Sequence, residues 1–226
     1  MLATRLAITF LLCCTTAPAF ATLIFSEYVE GSSYNKAVEI FNTGTDVDLD
    51  SDDYAVEIYS NGSLTASYSF NLSGTMLPGS TYVITHSRAD SALQTQANLL
   101  TGSLNFNGDD AIVLLQNGNV LDRIGQVGVD PGSAWGNGAV STQNHTLRRH
   151  TDITNGDVNV TAVFEPDLQW QGFDTDVFDG LGFHTTNFSA IPVEEPNTSV
   201  PAPASLLLLA TGLTVLGFGR RKIDQL

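Results

Sequence analysis

The chain has 226 residues and carries 24 acidic against nine basic side chains, a formal net charge of −15. This length predicts one globular domain with short additional segments. Because phosphate backbones are bound through lysine and arginine, so acidic a chain argues against nucleic acid as a direct partner. Divalent cations, or simple solubility, fit the charge better.

The first 21 residues have the layout of a secretory signal peptide. Arg5 precedes an apolar core at residues 6–14, and the small residues Ala19 and Ala21 precede a cleavage point before Thr22. The apolar core is too short for a membrane anchor. We therefore expect residues 1–21 to be removed and the rest of the chain to be exported to the periplasmic side of the membrane.

Both cysteines, Cys13 and Cys14, lie inside this N-terminal segment, and we interpret them as ordinary apolar residues of its core. After cleavage the protein would contain no thiol. A disulfide framework and a cysteine-ligated zinc site are then excluded.

Residues 22–184 consist of short apolar-rich segments separated by turn signals. Several of these segments alternate apolar and polar residues, which is typical of β-strands. The pattern predicts strands at residues 23–29, 36–42, 54–60, 63–72 and 81–86, and one helix at residues 89–100. Short strands at roughly regular spacing predict a β-sandwich.

A β-hairpin is the clearest single prediction in the chain. Apolar runs at residues 111–115 and 120–124 flank an Asn-Gly reversal at Asn117, and such a pair tolerates the positive φ of a tight turn. Asp109 and Asp110 stand at the mouth of the first strand, and a glycine-rich segment follows the second. We expect this hairpin to lie at the centre of the fold.

Several motifs within residues 23–184 resemble, in order, a bacterial lamin tail domain. They lie at residues 24–33, 35–40, 106–111, 122–125, 130–136 and 146–149. The resemblance implies an all-β, immunoglobulin-like β-sandwich. In bacteria such domains are often accessory modules on secreted nucleases or phosphatases, or parts of surface proteins.

Three loop carboxylates, Glu30, Asp109 and Asp110, are candidate calcium ligands, because Ca²⁺ takes six to eight oxygens. In the alternative interpretation Asp109 caps a turn, Asp110 accepts backbone N–H bonds, and Glu39 pairs with Lys36 or Arg148. The acidic residues 46–53 lack the glycine and final glutamate of an EF-hand loop and predict a solvated loop. No cofactor other than calcium is expected.

No catalytic residues are predicted. The four histidines lack the H-x-x-x-H spacing of zinc proteases, and Ser133 lacks the spacing of a nucleophile elbow. His145 with Asp122 could form a base and its orienting group, but the sequence does not place them together. Trp135 and Trp170 could stack on sugars, although the core is the more usual place for tryptophan in a small sandwich.

The C-terminal region predicts a linker and a membrane segment. Residues 185–199 are acidic and contain prolines, which indicates a flexible linker. Residues 204–219 form an apolar run of about 24 Å as a helix, short for a bilayer core of about 30 Å. The basic residues Arg220, Arg221 and Lys222 follow and predict that this end stays cytoplasmic.

Residues 200–226 resemble the PEP-CTERM sorting signal of Gram-negative bacteria. The residues that carry the resemblance are Val200, Pro201, Pro203, Ala204 and Ser205, followed by the short apolar helix and the basic end. Ala202 stands where the family usually has glutamate. The resemblance implies an exosortase-type enzyme as a partner, with cleavage near Pro203, and a plain membrane anchor is the alternative.

The sequence thus predicts an exported, non-catalytic sandwich module that reaches the cell surface or the extracellular matrix. It would bind a surface protein or an extracellular polysaccharide, with the loops around Glu30 and Asp109 as candidates for the contact. One alternative is an accessory module of a separately encoded secreted nuclease or hydrolase. The other is a metal-dependent hydrolase, which the histidine spacing argues against.

Overall fold

The computed structural model describes residues 23–187, and its regular structure is almost entirely β. The strands are β1 Leu23–Glu30, β2 Lys36–Asn42, β3 Val47–Asp48, β4 Tyr54–Tyr59, β5 Tyr68–Asn71, β6 Thr75–Met76, β7 Thr81–His86, β8 Leu99–Thr101, β9 Ala111–Gln116, β10 Asn119–Ile124, β11 Gly136–Asn137, β12 Val140–Ser141, β13 Thr146–Arg149 and β14 Trp170–Phe173. Two short helical turns, α1 Ser91–Gln94 and a 3₁₀ turn at Pro166–Leu168, complete the list.

The predicted signal peptide, the sorting signal at residues 200–226 and most of the linker lie outside the described residues. Between residues 23 and 187, no helix is long and apolar enough to span a membrane.

Two sheets face each other across one core. The larger sheet has the order β14-β13-β1-β2-β7-β8, and the smaller has the order β10-β9-β4-β5. Neighbours are antiparallel except for β7 and β8, which run parallel. The hairpin β9–β10 forms around Asn117 and Gly118, both with the positive φ that its turn needs. The predicted all-β sandwich is confirmed.

A β-bulge in β1 decides which side chains enter the core. The pairing register with β2 shifts between Phe25 and Glu27. Before the bulge Leu23 and Phe25 face the core between the sheets, and after it Tyr28 does. Because side chains alternate along a strand, the extra residue reverses the alternation. Glu27 and Val29 are thereby turned to the outer face of the six-stranded sheet.

The core is aliphatic and aromatic and includes both tryptophans. Trp170 on β14 is 1% exposed and Trp135 is 7% exposed, so the prediction that they belong to the core is confirmed. The guanidinium of Arg149 lies 4.2 Å from the centre of the Trp170 ring. A sugar-stacking role for Trp170 is therefore wrong, because its ring is covered by protein.

Two predicted elements are shorter than expected. The helix expected at residues 89–100 is a single turn, Ser91–Gln94, and Leu99–Thr101 joins the sheet instead. Asn98 explains the change, because its side-chain oxygen accepts from the Val83 N–H and its own N–H donates to the Val83 carbonyl. The strand expected at residues 63–72 is confined to Tyr68–Asn71, since Ser63 and Thr65 bond within a tight turn.

Residues 174–187, here called the strap, run along the outer face of the six-stranded sheet. At the start of the strap, Asp176 accepts hydrogen bonds from Ser32 and Asn35. Near its end, the His184 ring meets Phe41 edge-on at 4.9 Å. Phe178 and Leu181 of the strap join a second apolar cluster on this face. The strap therefore makes a third layer over one half of the sandwich.

We predict that Trp170→Ala lowers the free energy of unfolding by about 3–5 kcal/mol, the usual cost of truncating a fully buried tryptophan. Leu168→Ala is the matched control, because Leu168 is nearby in sequence but 65% exposed. That variant should stay within about 0.5 kcal/mol of wild type. Urea unfolding measures both, and an equal small loss for the two variants would contradict the burial of Trp170.

Candidate functional site

Several loops meet at one end of the sandwich, which we call the loop end. Its segments are residues 31–35, 60–62, 105–110 and 128–145. Buried hydroxyls tie them to the sheets: Tyr28 donates to the Thr142 carbonyl at 2.9 Å, and Thr142 donates to the Gly108 carbonyl at 2.6 Å. The sheets thus hold these loops in a fixed arrangement.

Glu30, the first candidate calcium ligand, uses both of its carboxylate oxygens in hydrogen bonds to other residues at the loop end. Its Oε1 accepts from the Lys36 ammonium at 2.7 Å, and its Oε2 accepts from the Asn144 N–H. The same ammonium donates to the Gly31 carbonyl at 2.6 Å. Both carboxylate oxygens therefore hold the loops together.

Asp110, the second candidate, has the structural role expected in the alternative interpretation. Its Oδ1 accepts from the Asn61 N–H at 2.9 Å, and its Oδ2 accepts from the Asn107 N–H at 3.0 Å. Burial raises the pKa of this carboxyl, while the two backbone bonds act against the rise. Asp110 thus fixes two loops relative to each other.

Asp109 is the remaining candidate, and it differs from the other two. Its side chain is buried, and its Oδ1 accepts no hydrogen bond. Burial, with the nearby charges of Asp130 and Glu30, raises the pKa of this carboxyl. Within residues 23–187 no group of three or more His, Cys, Asp or Glu side chains could hold a metal ion. Of the three candidates, only Asp109 has a carboxylate oxygen without a hydrogen-bond partner, so any calcium site would have to use it.

A polar groove of about 400 Å³ opens at the loop end beside Asp110. Its walls come from the turn after β4, the start of β5 and the segment before β9. The lining residues are Ser60, Asn61, Tyr68, Asn105, Phe106, Asn107 and Asp110. Sequence reasoning identified only Asp110 here. The other residues come from three separate stretches of the chain, and no local pattern indicated that these stretches would meet.

The proposed base and its orienting group do not meet. The ring Nδ1 of His145 lies 2.7 Å from the Gln143 carbonyl oxygen. Asp122 is fully buried elsewhere, where it accepts from the Phe25 N–H at 2.8 Å and pairs with Arg149. The structure therefore separates the two groups.

Glu27 and Glu39 form a buried pair of carboxylates beneath the strap. They lie opposite each other on β1 and β2, and their residues are 2% and 0% exposed. Arg148 donates to Glu27 Oε2 at 3.1 Å, whereas Glu27 Oε1 has no hydrogen-bond partner. Burial raises the pKa of Glu27 to about 8, despite the opposing charge of Arg148.

The expected pairing of Glu39 with Lys36 or Arg148 is wrong. Glu39 accepts instead from the Ser26 hydroxyl and the Gly182 N–H, both at 2.6 Å. Lys36 forms an ion pair with Glu30, and Arg148 forms ion pairs with Glu27 and Asp179. Burial raises the pKa of Glu39, and its two hydrogen bonds act against the rise. Gly182 and Asp179 both belong to the strap. The pattern of strands in the sequence could not predict that they would reach Glu39 and Arg148.

The described part of the chain is thus a two-sheet β-sandwich whose singled-out carboxylates mostly bind its own loops and strands. The sequence pattern of the Lamin Tail Domain family matches residues 16–128, which is half of the chain. The protein belongs to the lamin tail domain family. The later motifs, at residues 130–136 and 146–149, lie beyond the matched range. Comparison with curated proteins and with solved structures found no match.

We predict that the free energy of unfolding falls as the pH rises from about 4.5 to about 8 because of Glu27. The pKa of Glu27 is raised from 4.5 to about 8, so the folded state holds a proton that the unfolded state releases. This contribution is complete below pH 4.5 and is lost as the pH approaches 8. His184 acts in the opposite direction and only below its ordinary pKa of 6.5.

Chemical unfolding of wild type and Glu27→Gln between pH 6.5 and about 9 measures this effect, because His184 contributes little in that range. Glutamine keeps the shape and cannot ionise, so the variant should show the flatter profile. Glu57→Gln, at a half-buried position on β4, is the control. Parallel profiles for wild type and Glu27→Gln would contradict the assignment.

We predict that millimolar calcium leaves the melting temperature unchanged, since Glu30 and Asp110 already use their oxygens within the protein. Thermal unfolding with calcium, with magnesium and with chelator tests this. A rise in melting temperature specific to calcium, abolished in Asp109→Asn, would instead establish a calcium site at Asp109.

Proposed function

We propose that this protein is an exported, non-catalytic lamin tail domain module that binds a partner through its loop end. The observation that carries the proposal is the polar groove beside Asp110, which lies among loops fixed by buried hydrogen bonds. Loops on a rigid sandwich are a common location for binding sites. The partner is a surface protein or an extracellular polysaccharide.

The contacts of the candidate catalytic groups favour binding over catalysis. His145 and Asp122 are apart, and each bonds to neighbouring groups of the fold. Most of the buried carboxylates bond to backbone N–H groups or arginines, as structural groups do. Asp109 is the exception that a metal-dependent alternative would have to use.

The sequence at the two ends supports the proposed location. Residues 1–21 would direct export, with cleavage after Ala21. Residues 200–226 would place the chain in the membrane until an exosortase-type enzyme cuts near Pro203. The domain would then reach the cell surface or the extracellular matrix.

A capture experiment with loop-end variants tests this function. The exported form of the chain, immobilised, is exposed to matrix and surface extract from the bacterium that produces it. Asn105→Arg puts a bulky charged side chain into the groove, and we expect it to abolish capture of the partner. Asn119→Arg is the control, because Asn119 is exposed at the start of β10, opposite the end of β9 that lies away from the groove.

Capture that survives Asn105→Arg, or that both variants abolish, would contradict binding through the loop end. A nuclease or hydrolase captured by wild type and lost in Asn105→Arg would identify the protein as an accessory module of that enzyme. Hydrolysis of DNA by the purified chain, abolished in Asp109→Ala, would support the metal-dependent alternative.

A further inference from the structure

The chemistry of the polar groove is that of neutral hydrogen-bonding groups. It offers the amides of Asn61, Asn105 and Asn107 and the hydroxyls of Ser60 and Tyr68. Each amide can donate and accept at once, and so can each hydroxyl. Asn61 is exposed, so its side-chain amide is accessible to a ligand. These groups suit a ligand whose own groups can each donate and accept hydrogen bonds.

The charges around the groove disfavour an anionic ligand. No lysine, arginine or histidine lines it, and the chain carries a net charge of −15, which repels anions. Its one carboxylate, Asp110, already accepts two backbone N–H bonds, one on each oxygen. A cationic ligand would have to compete with these two bonds for the carboxylate.

The groove is also held rigidly. Asp110 links the wall at Asn61 to the wall at Asn107, and the Tyr68 hydroxyl accepts from the Asn105 amide at 3.0 Å. The floor is Phe106, which is 4% exposed and packs on Tyr28 with ring centres 5.1 Å apart. A site fixed in advance loses less conformational freedom on binding. Its volume of about 400 Å³ lies within the range of small-ligand sites.

We infer that the polar groove binds an uncharged, hydroxyl-rich chain, that is, a stretch of neutral polysaccharide. The inference rests on the proposed function and names the ligand class of its loop end. Vicinal hydroxyls of a sugar donate and accept in pairs, which suits the side-chain amides of Asn61 and Asn105. The open shape of the groove allows a polymer to pass through it.

Affinity electrophoresis of the exported form of the chain tests the inference. The gels contain one of three neutral polysaccharides (dextran, galactomannan or mixed-linkage β-glucan) or one of two acidic ones (alginate or polygalacturonate). We expect retardation by at least one neutral polymer and none by the acidic ones. Asn61→Ala and Asn105→Ala should each weaken the retardation about tenfold, as for the loss of one or two hydrogen bonds. Asn119→Ala should bind like wild type.

Three results would overturn the inference: retardation by the acidic polymers alone, retardation unchanged in both groove variants, or no retardation by any neutral polymer. Thermal unfolding of each variant shows that the fold is retained. The proposed function fails separately, since it requires that Asn105→Arg abolish capture of the natural partner. If that capture fails in Asn105→Arg while the neutral polymers do not bind, loop-end binding stands and the ligand class is wrong.

Discussion

The buried pair of Asp122 and Arg149 joins the two sheets, and much of the structure depends on it. Asp122 follows a bulge in β10 of the smaller sheet, and Arg149 ends β13 of the larger one. The carboxylate also accepts from the N–H groups of Phe25 and Asp157, and Arg149 donates to the Phe25 carbonyl at 2.9 Å. Removing one partner of such a pair costs about 3–5 kcal/mol, because the other charge stays buried and unpaired. The same contacts hold β1, the strand that leads into the loop end.

Local patterns in the sequence predicted the parts of the fold that depend on local physics. The hairpin around Asn117, the alternating strand at Tyr54–Tyr59 and the burial of Trp170 follow from turn chemistry, alternation and side-chain size. The helix expected at residues 89–100 failed because long-range bonds of Asn98 to Val83 outweigh a modest helical preference. The bulge in β1 could not be predicted, since it depends on how a neighbouring strand pairs.

Local sequence patterns predicted even less of the candidate site than of the fold. The alternative role predicted for Asp110 is confirmed, because an acid after an Asn-Gly turn is placed to accept backbone N–H bonds. It gave no indication of Tyr68 or Asn105, which reach the groove only after three segments converge. The burial of Glu27 and Glu39 was also unpredictable, because both face outward, Glu27 as a result of the bulge, and the strap that covers them comes much later in the chain.

The strap has a mechanical consequence. Near its start Asp176 lies beside Ser32, and the strap ends at Asn187, whose N–H donates to the Thr151 carbonyl at the far end of the same sheet. Leu23, paired with Asn42, lies at that far end too. A pull at Asn187 directed away from the loop end would act along the strap, so that its contacts with Ser32, Arg148 and Glu39 would resist together in shear. The same geometry turns the groove away from the point where the force is applied.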